Sequence, residues 1–169
     1  MKKQSAGLLV YRKQGNNVEV LIAHMGSPWW AKKDLGAWSI PKGEYTEGED
    51  AMKTAKREFE EELGKKSPGG KWQELGTVEQ SNNKTVIAWA VEGDLDATSI
   101  KSNTFEIEWP PRSSRMQEFP EIDKADWFNL EEAAKKLVPA QVLFLERLAK
   151  QLRIPLELPP QSSSQSSLF

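Results

Sequence analysis

The spacing of apolar and polar positions changes several times along the chain, and each change predicts an element. AGLLVYRK (Ala6–Lys13) and VEVLIAHM (Val18–Met25) are β-rich runs joined through QGNN, which predicts a hairpin from Ala6 to about Met25. GSPWWAKKDLG breaks the pattern with Gly, Pro and Asp, and AWSIPKGEYTEGE reads as a strand end entering a glycine-bounded loop. Asp50 to Leu63 holds good helix formers without Gly or Pro, and Gly64 supplies a left-handed stop. Further strands are predicted in KWQELGTVEQ, KTVIAWAVEG, SNTFEIEW and KADWF; in the third, Phe105, Ile107 and Trp109 alternate with Glu106 and Glu108. NLEEAAKKL opens on an Asn129 cap and PAQVLFLERLAKQL sets Pro139 in a first turn, giving one or two closing helices. This order, with no internal repeat, predicts one α/β domain with a mixed sheet over residues 1–154. The proline- and serine-rich residues 155–169 are expected to form a flexible tail.

Composition narrows the chemistry. With 169 residues, 38% hydrophobic and 28% charged, the chain has the length and balance of one soluble domain. It has no cysteine and a single histidine, His24, which excludes a disulfide framework, a thiolate nucleophile, a zinc–thiolate site and a His-rich metal site. No stretch approaches the roughly 20 apolar residues of a membrane span, and the basic opening MKKQ precedes too short an apolar run for a secretory peptide. A cytoplasmic location is expected. A net charge of −2 without a basic stripe argues against long nucleic acid as a partner.

The 50–63 segment carries an unusual charge pattern. On a helical wheel Ala51, Ala55, Phe59 and Leu63 form one apolar stripe with Met52 beside it. Glu58, Glu61 and Glu62 share a face, Glu58 and Glu62 bordering the stripe, while Glu60 points away. Like charges at these spacings cost about 0.2–0.5 kcal/mol per pair, and more where they are partly buried. A cation relieves that cost, and oxygen ligands without His or Cys suit Mg²⁺, Mn²⁺ or Ca²⁺. An ordinary solvated acidic face beside Lys53, Lys56, Arg57 and Lys65 is the alternative; the glycine-bounded loop leading into the helix, with Gly43 and Gly48, favours a site that wraps a diphosphate.

Gly43, five residues, Glu49, seven residues and then REFEEELG resembles the Nudix box, G-x5-E-x7-R-E-U-x-E-E-x-G-U, with U a bulky aliphatic residue. Gly43, Glu49, Arg57, Glu58, Phe59, Glu61, Glu62 and Gly64 fall in register; Phe59 is aromatic where an aliphatic is usual, and Lys65 departs at the last position. The order of elements is similar to the family's α/β/α sandwich, over roughly residues 5–152.

The resemblance implies metal-dependent hydrolysis of a pyrophosphate link in a nucleoside diphosphate joined to another group. Carried over, Glu58, Glu61 and Glu62 hold Mg²⁺ (or Mn²⁺), Arg57 and Glu49 orient them, and Gly43 lies at the substrate loop. A further ligand or base from outside the box is assigned to Glu121, with Glu118 competing and a solvated loop acid as the alternative for both. Lys42 reads equally as a phosphate contact or a surface lysine; for Arg112 and Arg115, placement in a polar loop is favoured over contact with outer phosphates. Among seven tryptophans, Trp89 and Trp127 read as structural, while Trp29 and Trp30, in a proline-containing loop, are candidates for base stacking. WSIPKG and ADWFNLEEA resemble the diadenosine polyphosphate and nucleoside triphosphate branches, whereas the coenzyme A motif, the ADP-ribose proline and the tyrosine marker of some dinucleoside polyphosphate enzymes are absent. A non-catalytic nucleotide-binding module is the alternative, against which the retained glutamates count. The sequence leaves the oligomeric state open.

Overall fold

The computed structural model describes residues 2–158. In chain order its elements are β1 (Lys3–Gln14), β2 (Asn17–Met25), β3 (Trp38–Ser39), β4 (Lys42–Tyr45), α1 (Ala51–Leu63), β5 (Gln73–Ser81), β6 (Lys84–Glu92), β7 (Thr104–Glu108), β8 (Met116–Pro120), β9 (Ile122–Asn129), α2 (Leu130–Lys136) and α3 (Val142–Leu152).

Every residue of β1 from Ser5 to Tyr11 is buried, as the unbroken apolar run demands of a strand covered on both faces. It pairs in parallel with β6 from Lys3 to Tyr11, while the far edge is shared. Tyr11–Gln14 pair with β2, closing a hairpin over Gly15 and Asn16 in which Gly15 takes φ 62°. Gln4–Gly7 pair instead with β4. Between these two partners the Leu8 amide donates to the Pro41 carbonyl at 3.1 Å, so the sheet forks there. The other half of β2 takes β3 on one edge and β9 on the other, and β5 completes the mixed seven-stranded sheet beside β6.

Because successive side chains face opposite sides, the sheet feeds two cores. Ala6, Leu8, Val10, Leu21 and Ala23 pack with Ala55, Phe59 and Leu63 of α1. Leu9, Tyr11, Val20 and Ile22 pack on the other side with Leu130 and Ala133 of α2 and Val142, Phe144, Leu145 and Leu148 of α3. The architecture is therefore the expected α/β/α sandwich around a mixed sheet. Among the described residues no helix is long and apolar enough to cross a membrane.

Three expectations change in detail. Residues 38–45 form two short strands where a strand end and loop were predicted. Residues 104–120 form a separate two-stranded ribbon, β7 with β8, in place of one strand and a loop; Trp109 lies beyond β7. Met52 is exposed, because the turn it occupies faces outward from the Ala55–Phe59–Leu63 stripe. Ile154, Leu156 and Leu158 pack partly against the α3-side core; the rest of the expected tail, from 159, lies outside the described residues.

Candidate active site

Helix α1 is the carrier of the acidic groups, and both of its ends are fixed. The Asp50 side chain accepts from the amides of Met52 (2.9 Å) and Lys53 (3.2 Å), and Gly64 ends the helix at φ 65°, its amide donating to the Glu60 carbonyl. With Ala55, Phe59 and Leu63 buried, Glu58 and Glu62 stand one turn apart toward β4. Gly43 of β4 makes room for them: a methyl group there would overlap the Glu58 carboxyl.

The third carboxyl comes from the junction of β8 and β9. The Glu121 amide donates to the Asn103 carbonyl (2.8 Å), and the Glu121 carbonyl accepts from the Gly26 amide (2.9 Å). Any side chain at Gly26 would overlap the Pro120 carbonyl. Asn103 also donates its amide to the Glu61 carbonyl (3.1 Å) and Lys101 to that of Leu63 (2.9 Å). The segment 101–103 thus satisfies carbonyls at the end of α1 that the helix leaves open and splices Glu121 to it.

Carboxylate oxygens of Glu58, Glu62 and Glu121 lie within 4.8 Å of one another. They line a cavity of about 310 Å³ together with Lys42, Lys84 and Gln80. Glu62 is 7% exposed, and burial pushes its carboxyl up to about 8, against the pull of Lys42 and with repulsion from Glu121 and Glu58 adding to the rise. Burial likewise raises Glu58, partly offset by its bond from Arg57, and raises Glu121, reinforced by Glu58 and Glu61. Lys42 is lowered by burial of its charged end, with Glu62 opposing. Three acids that resist ionisation beside one another form an oxygen donor set that a hard divalent cation fits.

Arg57 ties the neighbouring acids together. Its guanidinium donates to Glu58 (3.3 Å) and lies 3.9 Å from Glu49 and 3.8 Å from Glu61. Glu49 accepts from the amide and hydroxyl of Thr46, both at 2.8 Å, which holds its carboxyl below the usual range. Glu61, half exposed beside Arg57, stands outside the 4.8 Å group, so the three carboxyls that converge are not the three box glutamates. Glu118 lies on the ribbon and accepts from the Thr104 hydroxyl (2.8 Å), while Glu121 faces the cavity.

Arg112 and Arg115 lie at the ribbon turn and do not line this cavity. Trp29, 54% exposed, meets Trp109 edge to face at 4.8 Å. Trp89 is buried, and Trp127 donates its indole N–H to the Leu95 carbonyl. His24 is buried between the Asp123 carboxylate (2.8 Å from Nδ1) and the Lys33 carbonyl (2.6 Å from Nε2), a structural position.

Lys84 and Gln80 are cavity residues that sequence reasoning missed. Lys84 follows a polar Asn82–Asn83 turn with no motif around it. Gln80 is held by Gln141, fully buried ahead of α3, whose amide donates to Gln80 (2.9 Å) and to the Ser39 hydroxyl (3.0 Å).

Comparison with solved structures returns the same fold. An Ap4A hydrolase of C. elegans in a binary complex superposes with a TM-score of 0.61 at 23% identity, covering 89% of this chain and 98% of that one. The MutT protein of Methanosarcina mazei Go1 gives 0.58 at 22%, covering 90% and 96%. The NUDIX domain of Shewanella oneidensis NrtR, complexed with ADP ribose, gives 0.62 at 14%, covering 90% and 89%. The family model described as NUDIX domain matches residues 1–148, the span that contains the sheet, the acidic helix and the converging carboxylates. The chain belongs to the Nudix family.

Proposed function

We propose that the protein hydrolyses a phosphoanhydride link in a nucleotide-type small molecule, a dinucleoside polyphosphate or a nucleoside triphosphate, with Mg²⁺ or Mn²⁺ held by Glu58, Glu62 and Glu121. The observation that carries this reading is the convergence of those three carboxylates within 4.8 Å, in a cavity that also contains Lys42 and Lys84. When bound, the cation would neutralise phosphate oxygens and lower the pKa of a coordinated water.

The chain's own groups do the remainder. Arg57 and Glu49 keep Glu58 and Glu61 in fixed orientation, and Gly43 leaves the Glu58 carboxyl its place. Lys42 contacts a phosphate oxygen. Water oxygen forms a bond to phosphorus, the bridging P–O bond breaks with its electron pair leaving on the departing phosphate, and the water proton passes to a carboxylate. Glu61 is suited to that role because it is half exposed and outside the converging set, and Glu121 is the competing acceptor.

Mass-spectrometric product analysis tests the reading: nucleoside triphosphates, diadenosine polyphosphates, ADP-ribose and dinucleotide cofactors are incubated with Mg²⁺ in ¹⁸O-water. Cleavage between phosphates with label in one product, lost in Glu62→Gln, is the expected result. Nucleotide binding without turnover would instead favour a non-catalytic module.

A further inference from the structure

The cavity of the acidic cluster has a cationic side that the Nudix box does not supply. Lys42 and Lys84 both line it, close enough that the charge of Lys84 acts on Lys42. Lys84 opens β6 at the register position of Lys3, and the preceding Asn83 carbonyl accepts from the Lys3 amide (2.6 Å), so its main chain is fixed. Lys2 and Lys3 on the same edge have acidic partners, Glu79 at 2.7 Å and Glu44 at 4.0 Å. Among the described residues, Lys84 has no carboxylate within ion-pairing distance, and neither does Lys42.

Like charges crowd both sides of this cavity: acids against acids, and one ammonium near another. A polyanion with dispersed charge relieves both, its oxygens lying between a carboxylate-held cation and the two ammonium groups. About 310 Å³ is at the small end for a ligand site. It suits the phosphates of a nucleotide rather than the nucleoside as well. We propose that Lys84 is a substrate-binding residue that grips a third phosphate, beyond the two joined by the link that breaks, so that the cavity favours chains of three or more phosphates over a diphosphate.

This assignment rests on the pyrophosphohydrolase reading, and its test separates the two. Calorimetry with inorganic tripolyphosphate and with pyrophosphate, each with and without Mg²⁺, is run on the wild-type protein, Lys84→Ala, Lys84→Arg and the α3 surface control Lys150→Ala, with thermal melts to verify folding. Lys84→Ala is expected to weaken tripolyphosphate binding by about tenfold, to change pyrophosphate binding by less than about twofold, and to raise KM for a nucleoside triphosphate at nearly constant kcat. Lys84→Arg is expected to restore most of the affinity, and Lys150→Ala to change nothing. Equal tripolyphosphate binding by the wild type and Lys84→Ala overturns the assignment, as does an equal loss for both anions. Failure of the wild type to cleave any nucleotide would sink the hydrolase reading itself, whereas normal cleavage with an unaffected Lys84→Ala would sink only the role of Lys84.

Discussion

A carboxyl that is 7% exposed, with two more carboxyls inside 4.8 Å, ionises only at a cost, and that is the situation of Glu62. Its folded value of about 8 lies above the ordinary 4.5, so between those values the folded protein retains a proton that the unfolded chain has released. The associated stability is complete below the unfolded value and is lost as pH rises through the folded one. Cation-free protein is therefore expected to melt at falling temperature from about pH 5 to about pH 9, with a shallower slope in Glu62→Gln. A bound cation takes the proton's place, so Mg²⁺ affinity should rise across the same window and level off above it. Calorimetric Mg²⁺ titrations and melts over that range test both, and a slope unchanged by Glu62→Gln would rule out Glu62 as its source. Gly43 makes the complementary case. Ala at this position overlaps the Glu58 carboxyl and must displace it, while Gly43 has no left-handed backbone to lose. Gly43→Ala should cut kcat/KM by about a hundredfold while costing about 1 kcal/mol or less in urea unfolding.

Helix α1 was legible in the sequence to within a residue because everything that defines it is local: the 3.6-residue stripe, helix formers from Asp50 and Gly64 after them; that Asp50 is the cap was not read. Strands β4 and β8 were not. Each has four or five residues with no buried/exposed alternation, and what makes them strands is the partner they pair with, β1 and β7 respectively. The same distinction separates the box acids, whose spacing is local, from Lys84, which reaches the site only through the parallel pairing of β6 with β1. The two ends of α1 should therefore respond differently to substitution. Asp50→Ala removes the acceptor of two backbone N–H groups at the opposite end of α1 from Glu58 and Glu62, and should cost about 1 kcal/mol with kcat nearly unchanged. Gly64→Ala strains a left-handed position and brings a methyl group to 2.6 Å from the Lys101 carbonyl, in the segment that anchors Glu121. It should cost at least about 1 kcal/mol and lower kcat as well. Urea denaturation paired with turnover distinguishes them, and a kcat loss of equal size in both variants would contradict the splice between α1 and Glu121.

At the scale of the whole molecule, two rigid layers clamp one sheet, and the site lies where that sheet forks. The sandwich was readable through the Nudix-like order of elements, and in the structure β1 is buried on both faces with its side chains alternating between two cores. The ribbon of β7 and β8 was not, because it contributes to neither core. Among the described residues its exposed and half-buried side chains meet across the ribbon, as in Phe105 with Phe119 at 6.4 Å, and it meets the 26–37 loop through Trp109 and Trp29. Its attachment to the site is through the main chain, from Asn103 at one end to Glu121 at the other. A two-stranded ribbon that no described element covers has little apolar burial to oppose local opening. Amides of Phe105, Ile107 and Phe119 are therefore expected to exchange with solvent much faster than those of Leu8, Leu9 and Val10, which should open only with global unfolding. The Glu121 amide, bonded to Asn103 and adjoining the Gly26 contact, should exchange at a rate nearer the core's than the ribbon's. Residue-resolved hydrogen exchange measures all three groups in one experiment. If Glu121 instead exchanged with the ribbon, its carboxyl would be carried by a mobile arm, and the site would have to assemble when that arm settles rather than stand ready beside α1.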